Sequence, residues 1–127
     1  MGQKVNPIGL RLGISKTWNS KWFAEKDYAS QLKQDLDIQK FVKARLKHAA
    51  ISKIEVERTA KKTKVNIFSA RPGIIIGRKG DEVERLKQEL SKRTPHDVVI
   101  NIKEIKRAEI DATLIAENIA SQLERRI

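Results

Sequence analysis

The chain has 127 residues, 39% of them hydrophobic, and a net charge of +11 from 27 Lys and Arg against 16 Asp and Glu. This composition predicts one modest domain with an extension, and the positive charge predicts an anionic partner such as a nucleic acid. The lack of cysteine excludes disulfides, thiolate zinc sites and cysteine nucleophiles. Since the sequence shows neither a signal peptide nor an apolar run of the roughly 18 residues that span a membrane, we expect a soluble cytoplasmic protein.

The positive charge is confined to the first two-thirds of the chain. Residues 1–80 carry 18 basic and 6 acidic side chains, whereas residues 81–127 carry 9 basic and 10 acidic ones. Charge that served solubility alone would not need this division. We therefore expect the anionic partner to lie against residues 1–80.

Residues 1–23 read as a basic extension, because glycines and a proline interrupt them and no acidic residue precedes Glu25. Such an arm is expected to become ordered on a partner. Trp18, Trp22 and Phe23 lie among its lysines and could stack on bases. We favour the alternative that these side chains anchor the arm to its own domain.

Residues 27–48 have the apolar spacing of a helix, with a phase shift near residue 36. One helix and two consecutive helices, the second capped by Asp37, are equally consistent with this pattern. Residues 51–58 and 64–70 then alternate as two strands joined by a basic turn at 59–63. Glu55 and Glu57 share one face of the first strand and are expected to face solvent.

A short helix at residues 74–76, a glycine turn at 77–80 and a helix at 81–92 follow the hairpin. The second of these helices is expected to bury Val83, Leu86 and Leu90. A third strand covers residues 97–105, and a last helix begins after a capping Asp111. The apolar face predicted for this last helix comprises Leu114, Ile115, Ile119, Ala120 and Leu123.

The order α–β–β–α–(GxxG)–α–β is that of a type II KH domain, a fold that binds RNA. We therefore predict an α+β, two-layer domain with a three-stranded mixed sheet and helices packed on one face. Residues 1–36 would form the basic extension and first helix, residues 37–106 the KH domain, and residues 107–127 a linker helix. The glycine turn would lie exposed at the edge of the sheet.

The glycine turn is the strongest candidate for RNA contact. Gly77 and Gly80 lack a Cβ and let a nucleic-acid backbone approach closely, and the amides that open the following helix favour phosphate. Arg78 and Lys79 add two cations between the glycines. The acidic start of the next helix tempers the expected affinity, and the alternative is an ordinary turn between helices. The flanking order and the charge division favour RNA.

Other cations are weaker candidates. Arg71 precedes the glycine turn, and we favour a functional role for it. Lys61, Lys62 and Lys64 lie at the hairpin tip, where contact with phosphate and a solvated turn are equally consistent with the sequence.

No catalytic or metal site is predicted. A phosphate-binding P-loop is excluded because Arg78 stands where its second glycine is required and Gly80 where its hydroxyl residue is required. His48 and His96 have no partner at metal-ligand spacing, and surface or capping roles are expected for them. No nucleophile, base and orienting group come together. We expect a non-enzymatic protein without cofactor, metal or small-molecule substrate.

Three segments resemble one known family, the bacterial small-subunit ribosomal protein S-three family. They are residues 1–13 (MGQKVNPIGLRLG), 20–24 (SKWFA) and 70–80 (ARPGIIIGRKG). The resemblance implies a structural constituent of the small ribosomal subunit that binds the head region of its ribosomal RNA. It places Gly77, Arg78, Lys79 and Gly80 in the KH loop. It also assigns four residues to an RNA-facing arm, namely Gln3, Lys4, Asn6 and Arg11.

The resemblance also implies location and partners. The neighbours would be the ribosomal proteins S-ten and S-fourteen, close to where messenger RNA enters, in a cytoplasmic or organellar ribosome. Members of the family continue into a second domain, which residues 107–127 would lead into. The runner-up interpretation is a stand-alone KH regulator that binds single-stranded RNA. A nuclease or lyase, and a module that dimerises through its last helix, are more distant alternatives.

Overall fold

The computed structural model describes residues 2–59, 61–94 and 97–126, with the backbone alone at Lys79 and Ala108. Within these ranges, five helices and four strands follow one another in chain order. They are α1 (Pro7–Arg11), β1 (Ser20–Lys21), α2 (Tyr28–Arg45), β2 (Ile51–Arg58), β3 (Lys62–Ser69), α3 (Pro72–Ile76), α4 (Asp81–Arg93), β4 (Asp97–Glu104) and α5 (Ala112–Glu124). Short 3₁₀ turns at Arg78–Gly80 and Ala108–Ile110 precede α4 and α5. In the described part of the chain, no helix is long and apolar enough to cross a membrane.

The strands form one mixed sheet in the order β1-β2-β3-β4. The hairpin β2–β3 is antiparallel, while β1 lies parallel to β2 and β4 lies parallel to β3. The predicted α+β class is confirmed, but the predicted three strands were one too few. The extension supplies the extra strand because its backbone pairs with the free edge of β2, where the Asn19 carbonyl accepts the Val56 amide at 2.8 Å.

The core lies between one face of the sheet and the helices α2, α3 and α4. The alternation of β2, β3 and β4 turns aliphatic side chains to this face, and the helices supply the other half of the layer. The buried members include Ile38 and Val42 of α2, Ile54, Val65, Ile67 and Val98 of the sheet, Ile75 of α3, and Leu86 and Leu90 of α4. The burial expected for Leu86 and Leu90 is therefore confirmed, and Val83 packs against the core while partly exposed.

The phase shift near residue 36 does not divide α2, which is one helix through Asp37. Its cause is a charged residue at a buried position, because Asp35 is fully buried and paired with Arg58. Asp37 is exposed in the middle of the helix and caps nothing. A buried ion pair interrupts the apolar stripe in the same way as a break between helices, so the sequence pattern alone could not distinguish one helix from two.

The last helix begins as predicted, with the Asp111 carboxylate accepting the Leu114 amide at 3.2 Å. Its predicted apolar face is mostly exposed. Leu114 alone is buried among the residues described in α5, whereas Ile119 and Leu123 are 53% and 70% exposed. The helix is therefore attached to the rest of the structure through its first turn.

Candidate nucleic-acid interface

The backbone of the glycine turn requires glycine. Gly77 ends α3 with φ +68° and ψ −163°, a region that is almost restricted to glycine. A Cβ built on Gly77 would lie 2.6 Å from Cγ of Glu82, so the first turn of α4 packs directly against it. Gly80 also has a positive φ of +77°, but open space surrounds its Cβ position. The first glycine is therefore fixed by packing as well as by conformation, and the second by conformation alone.

The charges beside the turn are exposed and of both signs. Arg78 and Arg71 project into solvent, while the side chain of Lys79 lies outside the described part of the chain. Glu82 forms an ion pair with Arg85 at 3.7 Å, which partly neutralises the acidic start of α4. The local field is therefore weakly rather than strongly positive, as the acids at residues 81, 82 and 84 led us to expect.

The turn lies beside the β4 edge of the sheet, because α3 and α4 both contact β4. On α3 only Ile75 enters the core, whereas Ile74 and Ile76 are 47% and 42% exposed. The sequence pattern shows these three isoleucines as one apolar run and does not indicate that two of them are exposed. A five-residue helix can bury only one of three consecutive side chains, which is the signal that could have revealed it.

The hairpin lysines do not join the glycine turn. Lys61 and Lys62 are exposed and Lys64 is half-buried, and β3 already begins at Lys62, so the turn is shorter than predicted. These lysines stand at the start of β3, whereas Arg71 and the glycine turn follow its end. An eight-residue strand is about 26 Å long, so the two groups of cations occupy opposite ends of the sheet.

The N-terminal arm is joined to the opposite edge of the sheet from the glycine turn. Gln3, Lys4, Asn6 and Arg11 are all exposed. Asn6 also has a structural role, since its side-chain oxygen caps α1 by accepting the Ile8 amide at 2.9 Å. Arg11 donates to the Pro7 carbonyl at 3.0 Å. The arm meets the sheet through β1, while the turn lies beside β4.

A buried polar cluster anchors the arm. The indole nitrogen of Trp22 donates to the Asp35 carboxylate, and Arg58 donates to the same carboxylate at 2.6 and 2.9 Å. The Trp22 and Tyr28 rings pack at a centroid distance of 5.5 Å. The anchoring role predicted for the arm aromatics is confirmed for Trp22. Trp18 and Phe23 are 67% and 86% exposed and remain available to a partner.

The expectation that Glu55 faces solvent was wrong. Glu55 is buried and pairs with Lys53 at 3.1 Å and with Lys21 of β1 at 3.4 Å. Burial alone would raise the pKa of its carboxyl, but the hydrogen bonds and charges of Lys53 and Lys21 outweigh it, so the pKa is lowered. Glu57 is half-buried and accepts the Asn66 amide at 3.2 Å. The sequence could not reveal this because the extra strand brings Lys21 to β2.

The chain is similar to known proteins along its whole length. A family model described as KH domain matches residues 37–110. The chain is 63% identical over all 127 residues to proteins named small ribosomal subunit protein uS3 from Citrifermentans bemidjiense, Geobacter sp. strain M21 and Geotalea uraniireducens. It spans 60% of the length of each of these relatives.

Proposed function

The chain belongs to the KH domain family, and on that premise we propose that it is the RNA-binding part of a structural protein of the small ribosomal subunit. The observation that carries the proposal is the 63% identity to proteins named uS3, which extends over the arm as well as the KH unit. The arm matters because a KH domain alone is common to many RNA-binding proteins. The ligand is small-subunit ribosomal RNA, and the role is non-catalytic.

The geometry supports RNA contact at the glycine turn. Gly80 leaves open space where a Cβ would stand, beside the exposed Arg78, while Gly77 lets α4 pack closely against the turn. Exposed Ile74 and Ile76 provide apolar surface next to it, on which a base can pack. Arg71 lies at the start of the same segment. The arm residues Gln3, Lys4 and Arg11 and the hairpin lysines form separate contacts, since they lie elsewhere on the molecule.

The finer placement rests on the family resemblance. On that resemblance, the chain lies in the head of the small subunit of a cytoplasmic ribosome, on the side where messenger RNA enters. Its neighbours there are the proteins S-ten and S-fourteen. Crosslinking in assembled ribosomes tests it by identifying which lysines of this chain join to RNA. Crosslinks confined to other proteins would contradict the RNA-facing assignment of the arm.

The double substitution of Arg78→Asp and Lys79→Asp tests the glycine turn. It exchanges two cations for two anions at an exposed turn, so we expect an affinity loss of at least about tenfold for folded small-subunit ribosomal RNA and a flatter salt dependence. The unfolding midpoint in urea should not change, since Arg78 is exposed and forms no ion pair in the described part of the chain. Lys33→Asp with Lys40→Asp, two exposed positions on α2, is the matched control.

Binding measurements with two RNAs distinguish a structural ribosomal protein from a stand-alone regulator. A stand-alone KH regulator would bind a four-nucleotide single strand as tightly as the folded RNA. We expect the folded RNA to bind far more tightly, because the arm adds contacts that a short oligonucleotide cannot reach. Equal affinities would favour the regulator.

A further inference from the structure

The sheet has a second face that the KH core does not use. Since successive side chains of a strand point to opposite faces and registered neighbours share a face, the pairing assigns eleven residues to the side away from α2 and α4. We call this the open face. It comprises Lys53, Glu55, Glu57, Lys62, Lys64, Asn66, Phe68, Asp97, Val99, Asn101 and Lys103.

One row across the open face gathers two cations on one ring. Lys53, Phe68 and Lys103 are direct neighbours on β2, β3 and β4. The ammonium groups lie 4.6 Å and 5.4 Å from the Phe68 centroid. The ring attracts each cation, but the two cations repel one another. Glu55 already pairs with Lys53 at 3.1 Å, so Lys103 is the cation of this row that a bound anion would contact.

The four lysines of the open face outnumber its three acids by one. Glu57 stands opposite Lys64 and Asp97 opposite Lys62, but in the described part of the chain neither carboxylate forms an ion pair. The Glu55 carboxylate is taken up by Lys53 and by Lys21 of β1. Within the described ranges, Lys62, Lys64 and Lys103 have no carboxylate within 4.0 Å. Lys62 and Lys103 are exposed and Lys64 is half-buried, so an anionic partner can reach all three.

The spacing of these cations favours an extended polyanion. The side chains from Lys62 to Phe68 cover about 20 Å along β3, and Lys103 stands beside Phe68. A nucleic-acid strand carries one phosphate for every about 3.4 Å of helix axis, so several successive phosphates fit this length. The half-buried Asn101 is the partner of Asn66, between the levels of Lys64 and Lys103, and offers its amide as a polar contact.

We propose that the open face is a second RNA-binding surface, on which Lys62, Lys64 and Lys103 contact phosphates along one strand. The proposal rests on RNA being the partner, as proposed above, but it uses the side of the sheet opposite the helices that carry the glycine turn. One domain would thereby contact RNA on both faces, which is the geometry of a protein embedded between RNA segments.

The test compares Lys64→Glu with Lys103→Glu against Lys33→Glu with Lys40→Glu, which makes the same change of charge on α2. Affinity for small-subunit ribosomal RNA of Geobacter sp. is measured at several salt concentrations. We expect the open-face variant to lose at least about tenfold in affinity and about two units of salt slope, and the control to lose less than about threefold. If the charge reversal disturbs folding, Lys64→Gln with Lys103→Gln is measured in its place. This variant removes the charges without adding repulsion, and it should also lower the affinity for RNA.

Lysine acetylation of the wild-type chain, with and without this RNA, gives an independent readout. We expect Lys62, Lys64 and Lys103 to be protected and Lys33 and Lys40 to remain reactive. An open-face variant that binds like the control overturns the proposal, as does equal protection by polyglutamate, which would indicate an acidic protein partner. Loss confined to the Arg78→Asp and Lys79→Asp variant would sustain the proposed function and reject the open face. Absence of any RNA binding would reject both.

Discussion

The two edges of the sheet are built by different physical means. At the β1 edge a buried polar cluster of Trp22, Asp35 and Arg58, together with the Glu55 pairs, holds the arm to the domain. At the β4 edge aliphatic packing through Ile75 and Leu86 holds α3 and α4, and the turn between them is left exposed. Directional polar contacts can fix a two-residue strand that buries little surface. Apolar packing beneath the turn leaves its backbone and cations free for a ligand.

Of the substitutions considered, Asp35→Ala should destabilise the protein most, because it removes the anchor of the β1 edge. It leaves Arg58, whose side chain is 6% exposed, without its carboxylate partner, and breaking a buried pair from one side costs about 3–5 kcal/mol. Unfolding in urea should show this loss of stability. Hydrogen exchange at the Val56 amide, which donates to Asn19, should show release of β1.

Asp37→Ala is the matched control, because Asp37 lies two residues further on α2 and is exposed. Its effect should stay within about 0.5 kcal/mol. Replacing both partners, Asp35→Leu with Arg58→Met, should recover much of the loss, since apolar groups of similar size fill the site without a buried charge. If Asp35→Ala were no more destabilising than the control, the β1 edge would not depend on this cluster.

The two glycines of the turn should respond unequally. Gly77→Ala places a Cβ 2.6 Å from Glu82 Cγ and in a glycine-only region, so we expect a loss of about 1–3 kcal/mol. Gly80→Ala meets no atom within 4 Å and incurs only the left-handed conformation, about 1 kcal/mol. Thermal unfolding of both variants measures the difference. Equal losses would show that packing against Glu82 contributes nothing.

Glu55→Gln should have a smaller and pH-dependent effect. The lowered pKa in the folded state means that the ionised carboxylate stabilises the fold above its ordinary value of 4.5, and this contribution is lost as the pH falls through the lower folded value. We expect the free energy of unfolding of the wild type to exceed that of the variant by about 1 kcal/mol at pH 7, and by progressively less below pH 4.5. The effect is small because the side chains of both lysines are exposed to solvent.

Urea unfolding of the two proteins between pH 7 and pH 3 checks this expectation. Glu117→Gln on the exposed part of α5 provides the control for a change of charge alone. A difference between wild type and Glu55→Gln that stays constant with pH would contradict the ion pairs with Lys53 and Lys21.

Local patterns predicted most of the elements. The alternation of β2 and β4, the capping Asp111 and the apolar spacing of Leu86 and Leu90 each depend on neighbours a few residues apart, and all are found as expected. The predictions that failed concern long-range contacts. The burial of Glu55 depends on Lys21, which lies 34 positions earlier in the chain, and the continuity of α2 depends on Arg58.

The sequence by itself determined the KH order of elements, the glycine turn and the positive charge of the first two-thirds, because periodicity, φ freedom and charge belong to residues and their immediate neighbours. The tertiary structure alone decided that the arm adds a fourth strand, that its anchor is a buried ion pair, and that the hairpin lysines and the turn lie at opposite ends of β3. Those outcomes depend on which distant side chains the sheet brings together, and pairing between strands is not encoded in the local pattern of either one.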